Sequence, residues 1–288
     1  MALFTNLAMF LYAFMDCALK DGYTNQKGTL VDFGVVRSFV MLPFAFFLLK
    51  YHGKPYFADI QPFQWKFLII RNVIGCFAIY ICSISLMTIS ITEFNILINL
   101  SPFFTVVLCY FWLGESMTAC DIVAMCFCFG GVVLVALADP APDQPTGAMF
   151  SGLSENGRQT VGICAALSMS VAFSVWMVMV RKLKDLHYSV IFFTGMVFDA
   201  CFISVCFTAK LLYCWLSAAE PETWPFQFTT TGFLEFVASG TVNCAAQNLT
   251  ILAGMYSNPA VVQLVAYGKI LYVYLADKII FKTSFTGL

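Results

Sequence analysis

WKFLIIRNVIGCFAIYICSISL, residues 65–86, carries two charges, Lys66 and Arg71, in an otherwise apolar run. A transmembrane helix needs about 20 mostly apolar residues to cross the hydrocarbon core. The apolar residues here are continuous, without the in–out alternation of a barrel strand, so the stretch predicts a spanning helix. The pattern repeats outward in both directions. On the N-terminal side it predicts spans over 2–19, closed by Lys20-Asp21, and over 33–51. The first has no basic leader and no small-residue cleavage site, so it reads as a retained helix rather than a signal peptide. On the C-terminal side follow 90–113 and 119–138. Residues 139–159 hold three prolines with Asp143, Glu155 and Arg158 and read as an aqueous linker. Beyond it, spans are predicted over 160–180, 189–209, 231–255 and 259–281.

Composition supports a lipid environment. Of 288 residues, 60% are hydrophobic and 11% charged, with mean hydropathy +0.84, where a soluble domain averages about 25% charged. That excess of apolar surface excludes a soluble enzyme or a disordered chain. A net charge of −1 offers no basic footprint for nucleic acid. The twelve cysteines form no CxxC pair and no Cys/His ligand spacing. They read as small buried apolar residues, not as a disulfide framework. Asn99-Leu100-Ser101 and Asn248-Leu249-Thr250 match the glycosylation pattern but fall within spans, where that chemistry has no access.

A shift of 162 positions lays Lys20 on Lys182, Tyr110 on Tyr272, Glu115 on Asp277 and Arg37 on Asp199. With the matching order of spans, this predicts two homologous five-helix halves, 1–138 and 160–288, joined by the linker 139–159. An odd number of spans per half inverts the second copy in the membrane, as in many secondary transporters. Under the same shift Leu288 falls on Cys126, inside the fifth span, so a tenth helix is expected and is missing from the second half. The expected fold is an all-α, polytopic transmembrane bundle built on an inverted repeat.

Short motifs accompany this pattern: Arg37 early in the second span, Ser101-Pro102 in the middle of the fourth, Leu113-Gly114-Glu115 at its end and Gly130-Gly131-Val132 late in the fifth. In these the chain resembles the drug/metabolite transporter superfamily, in its EamA-like branch. The second half departs from the pattern, with Ala276-Asp277 in place of Gly-Glu. The resemblance implies a central cavity lined by spans three, four, eight and nine, and an N-terminus inside. Tight basic clusters around Lys50, Lys54 and Lys66 and at Arg181, Lys182 and Lys184 lean the same way.

Ionisable groups within spans are costly and therefore the first functional candidates. Lys269 lies in the middle of the ninth span, Asp199 near the middle of the seventh, and Arg71 with Asn72 in the third. Asp199 is the expected carboxylate partner of Lys269 should that lysine be structural. Asp16, Arg37, Glu93 and Glu235 lie nearer span ends, where snorkelling to the interface is the cheaper reading. Ser239, Asn243, Gln247 and Thr250 fall on one helical face of span eight, and Thr92, Asn95, Asn99 and Pro102 on one face of span four. Gln263, Tyr267 and Tyr274 share another face in span nine. Substrate-binding candidates are thus Lys269, Arg71, Asn72, Asn95, Asn99, Asn243, Gln247, Gln263 and Asp199.

No nucleophile triad, zinc motif, Walker A loop or dinucleotide fingerprint is present, so neither catalysis nor a cofactor or metal is expected. The leading expectation is a secondary transporter that moves a small organic metabolite by alternating access. An organic-anion or nucleotide-sugar exchanger is the alternative within transport, and a non-transporting membrane protein the rival outside it. Expected partners are the bilayer of the plasma membrane or an endomembrane, a small-molecule substrate and a second copy of the chain in a homodimer, with no nucleic acid.

Overall fold

The computed structural model describes residues 2–24, 29–57, 60–114, 154–216, 228–257 and scattered positions within 122–130, 225–226 and 262–275. Helices run in the order α1 (Ala2–Thr24), α2 (Leu30–Tyr51), α3 (Pro62–Thr88), α4 (Ile91–Ile98), α5 (Ser101–Leu113), α6 (Glu155–Lys182), α7 (Tyr188–Leu216) and α8 (Thr230–Tyr256). Among the described residues there is no strand, and six segments are long and apolar enough to cross a bilayer. They correspond to the spans predicted first to fourth, sixth and seventh. α8 is as long at 27 residues but more polar, because it carries the Ser239–Thr250 stripe. The predicted fifth span, and the ninth apart from isolated helical positions such as Val262, Lys269 and Val273, lie outside the described residues.

Local chemistry sets several helix boundaries. Thr29 and Asp32 form a capping box at the start of α2, and Ser90 and Glu93 do the same at α4. Glu93 therefore satisfies backbone donors at a helix start, where its charge also favours the macrodipole. Ser154 caps α6, so this helix begins at Glu155 and takes up the last five residues of the stretch read as linker. The fourth span is two helices, not one. Asn99 ends α4, and Pro102 sits in the first turn of α5, where its missing N–H costs least. Serines of α6 stitch the break: Ser170 Oγ donates to Leu97 O at 2.7 Å and Ser174 Oγ to Ser101 O at 2.8 Å.

Three helix pairs dominate the packing: α1 with α8, α3 with α6, and α2 with α7. The α3–α6 contact is close because Gly162 has no side chain; a Cβ there would collide with Ile89 Cγ2. Ser85 Oγ donates to Gly162 O at 3.0 Å across the same contact. Outward faces carry Phe39, Phe47, Val205 and Leu234, all strongly exposed, as lipid-facing side chains should be.

Two apolar clusters fill the bundle at different heights. One gathers Met41, Leu49, Leu68, Met177, Ile191 and Ile251; the other gathers Phe33, Leu86, Phe94, Ala166 and Phe236. Along each helix the polar residues fall between them. On α2, Arg37 separates Phe33 from Met41; on α3, Arg71 and Asn72 separate Leu68 from Leu86; on α8, Asn243 lies between Phe236 and Ile251. The core is a polar layer between two apolar ones.

At one rim, His52 and His187 clamp the end of α2 to the start of α7. Their rings lie 4.8 Å apart, His52 Nε2 bonds Tyr188 Oη at 2.7 Å, and the Ser189 N–H donates to His187 Nδ1 at 3.3 Å. Partial burial, then the positive fields of His52 and Lys54, hold the His187 pKa below its ordinary 6.5. The folded protein thus binds a proton at His187 less readily than the unfolded chain. Its stability contribution is complete at neutral pH and is lost as pH falls below about 6.5. Melting of detergent-purified His187→Gln against pH should show a weaker acid-side loss than wild type; an unchanged profile would assign that loss to other groups.

Candidate functional site

The polar layer surrounds a cavity with about 900 Å³ of atom-free space, counting its open mouth. Asp16, Arg37, Asn99, Asn243, Gln247 and Lys269 line it, with Tyr12, Phe94, Phe173 and Trp176 as its aromatic walls. A smaller cavity adjoins it, lined by Arg71, Asn72, Gly195 and Asp199, and sharing Arg37, Gly75, Trp176 and Gln247 with the first. The lining is wider than the resemblance implies. Helices α1, α2 and α6 contribute as well as spans three, four, eight and nine, because α1 packs on α8 and α6 packs on α3.

The predicted candidates divide between these spaces. Lys269, Asn99, Asn243 and Gln247 line the larger cavity, and Arg71, Asn72, Asp199 and again Gln247 the smaller. Asn95 stands behind the site: its Nδ2 donates to Asp16 Oδ2 at 3.3 Å and to Ile91 O at 2.9 Å. Gln263, Tyr267 and Tyr274 lie outside the described residues.

Two expectations are corrected. Lys269 does not pair with Asp199; its Nζ lies 2.7 Å from Asp16 Oδ2, with the Tyr12 and Phe94 rings within 6 Å. Asp199 instead accepts from Arg37 Nη2 on one oxygen and from Ser38 Oγ at 3.2 Å on the other. The reason is topological. α7 packs on α2, which brings Asp199 to Arg37, whereas span nine meets α1. Asp16 and Arg37 therefore do not snorkel; they are 1% and 3% exposed, deep in the bundle.

Arg71 is a further buried cation, beside Arg37 in the smaller cavity. Its Nη1 donates to Asn72 Oδ1 at 2.6 Å and to Ile191 O at 3.3 Å, and its guanidinium lies 4.8 Å from the Trp176 ring. A bundle that buries charge at mid-span and presents phenylalanine outward is organised around a polar interior.

The sequence of residues 1–137 matches the model of the EamA-like transporter family. That stretch is thus similar to transporters of small molecules, and the six apolar helices make the chain a multi-pass integral membrane protein. No curated protein matches the sequence. Solved structures of similar fold include a crystal structure of a protein with TM-score 0.65 and 17% identity, covering 98% of this chain and 91% of its own. That likeness extends the fold beyond the EamA-like half to nearly the whole chain.

The EamA-like half supplies Asp16, Arg37, Arg71 and Asn99, while Asp199, Asn243, Gln247 and Lys269 come from the other half. Each ion pair joins the two halves. Arg37 has a faint signal in the sequence, because the 162-residue shift sets it against Asp199; no local signal marks Asp16 as the partner of Lys269.

Proposed function

We propose that the protein is a secondary transporter that moves a small organic metabolite by alternating access, and that residues 1–138 and 160–288 are inverted copies of one five-helix unit. The observation that carries this reading is the polar, charged cavity held between two apolar clusters. Parting one cluster at a time would expose the same cavity to each side in turn. The packing partners support the repeat. Exchanging helices 1, 2 and 3 with 6, 7 and 8 converts the α1–α8 contact into α6–α3, and returns α2–α7 to itself. Arg37 and Asp199, equivalent under the 162-residue shift, touch each other, which is the behaviour of residues beside a twofold axis.

The test is counterflow. Full-length protein reconstituted into vesicles preloaded with an unlabelled metabolite should accumulate the labelled form, for compounds first selected by thermal stabilisation. Stabilising compounds that never exchange would turn the reading toward a binding protein without transport. The lining makes a second expectation. In a background without native cysteines, Asn99→Cys, Asn243→Cys and Gln247→Cys should react with a charged, water-soluble thiol reagent. Phe39→Cys, on the lipid face, should not. Protection of all three cavity positions would reduce the polar stripes to contacts between helices.

A further inference from the structure

The smaller cavity has a surplus of one kind of polar atom. Arg37 Nε, Arg71 Nε and Asn72 Nδ2 are buried there without a hydrogen-bond partner, and all three are donors. The Asn72 amide cannot turn to relieve this, because its Oδ1 is held by Arg71 Nη1 at 2.6 Å. Among the described residues, no fully buried acceptor that lines the same cavity lacks a partner. Buried donors without partners cost free energy that a suitable ligand recovers.

Charge points the same way. Among the described lining residues, Arg37 is neutralised by Asp199 and Lys269 by Asp16, while Arg71, 3% exposed, has no carboxylate within ion-pair distance. Among these described residues one positive charge is uncompensated. Gly195 keeps room for that guanidinium, since a Cβ there would lie 2.7 Å from Arg71 Nη1. Trp176 flanks Arg71 and also stacks against Phe173, 5.8 Å between centroids with planes 7° apart. These two rings lead from the donor cluster into the aromatic-walled larger cavity.

We infer that the substrate of the proposed transporter is an organic monocarboxylate with an apolar, ring-sized body, its carboxylate received by Arg71 Nε and Asn72 Nδ2 and its body lodged between Tyr12, Phe94, Phe173 and Trp176. This rests on the transport reading for its role as a substrate, but not for its binding. A carboxylate is acceptor-only and carries one charge, which matches a donor surplus with one uncompensated cation. A phosphate monoester would bring a second charge, and Arg37 and Lys269 are already neutralised. A neutral amide would bring donors of its own.

The experiment is thermal stabilisation of the purified full-length protein by 3-phenylpropionate, 3-phenylpropionamide, phenyl phosphate and chloride, followed by counterflow with labelled 3-phenylpropionate. The acid should raise the melting temperature at millimolar concentration, and the amide, phosphate ester and chloride should not. Arg71→Lys should bind the acid about 10- to 100-fold more weakly, because an ammonium cannot present the same donors or stack on Trp176. Its unliganded melting temperature reports whether it folds, and the acid-against-amide contrast in wild type is independent of any variant. No shift with the acid, or an equal shift with the amide, overturns the inference. A larger shift with phenyl phosphate replaces the monocarboxylate by a phosphate ester, and an equal shift with chloride reduces the site to one for an inorganic anion. Acid binding without counterflow leaves the carboxylate site standing and removes the transport reading; counterflow of the amide as fast as the acid does the reverse.

Discussion

Lys269→Gln should destabilise the protein by about 3–5 kcal/mol, because it leaves the Asp16 carboxylate buried without its counter-ion. Asp16 is 1% exposed, and beyond Lys269 its described hydrogen-bond partner is the Asn95 amide at 3.3 Å, too long to replace an ammonium at 2.7 Å. The expected readout is a lower unfolding midpoint in detergent. Adding Asp16→Asn should recover most of the loss, since two amides can hydrogen-bond where the ions did and neither carries a charge into the bundle. Adding Asp199→Asn should recover nothing, because Asp199 belongs to Arg37. If Asp16→Asn fails to rescue, the pair is not what keeps Lys269 tolerable at mid-span. The rescued double variant then addresses function. Retained 3-phenylpropionate affinity would assign Lys269 to the architecture; a lost response would return it to the substrate site.

How far such a site can be foreseen depends on which property each residue expresses. Spans are legible because each must satisfy its own backbone and present apolar side chains to lipid, so that the information is local. Polar stripes are legible for a related reason: Asn243 and Gln247 share a helical face whatever lies opposite. Pairing is not local. Lys269 has carboxylates available on several helices, and only the packing of span nine on α1, and of α7 on α2, decides between Asp16 and Asp199. The snorkelling reading of Asp16 and Arg37 fails on the same point. Distance from a span end measures the route to water along one helix, but not the neighbours that close it off. The break after Asn99 was half visible, since Pro102 announces a lost donor. That serines four residues apart on α6 would hold Leu97 and Ser101 required knowing that α5 lies against α6.

The pair at the centre of the bundle should respond differently from Lys269 and Asp16. Arg37→Gln or Asp199→Asn alone should each cost about 3–5 kcal/mol, again by stranding a buried charge. The distinguishing variant is the exchange Arg37→Asp with Asp199→Arg. At an ordinary buried pair an exchange places a long side chain where a short one fitted, and fails by overpacking. Here the two positions are equivalent under the 162-residue shift and meet across the contact between α2 and α7, so under the proposed repeat each exchanged side chain enters surroundings resembling those it left. The resemblance is incomplete in nameable ways. The Arg37 guanidinium lies 5.8 Å from the Phe33 ring, where position 195 is a glycine, and Ser38 donates to Asp199, where the equivalent position 200 is an alanine. Exchange therefore forfeits one cation–π contact and one hydrogen bond to a carboxylate, together about 2–4 kcal/mol, while restoring neutrality. The exchanged protein should melt below wild type, no lower than either single variant and above their additive expectation. The corresponding exchange of Asp16 with Lys269, which has no such equivalence, should gain much less. Equal failure of both exchanges would remove the twofold relation between the halves as the reason these two residues meet.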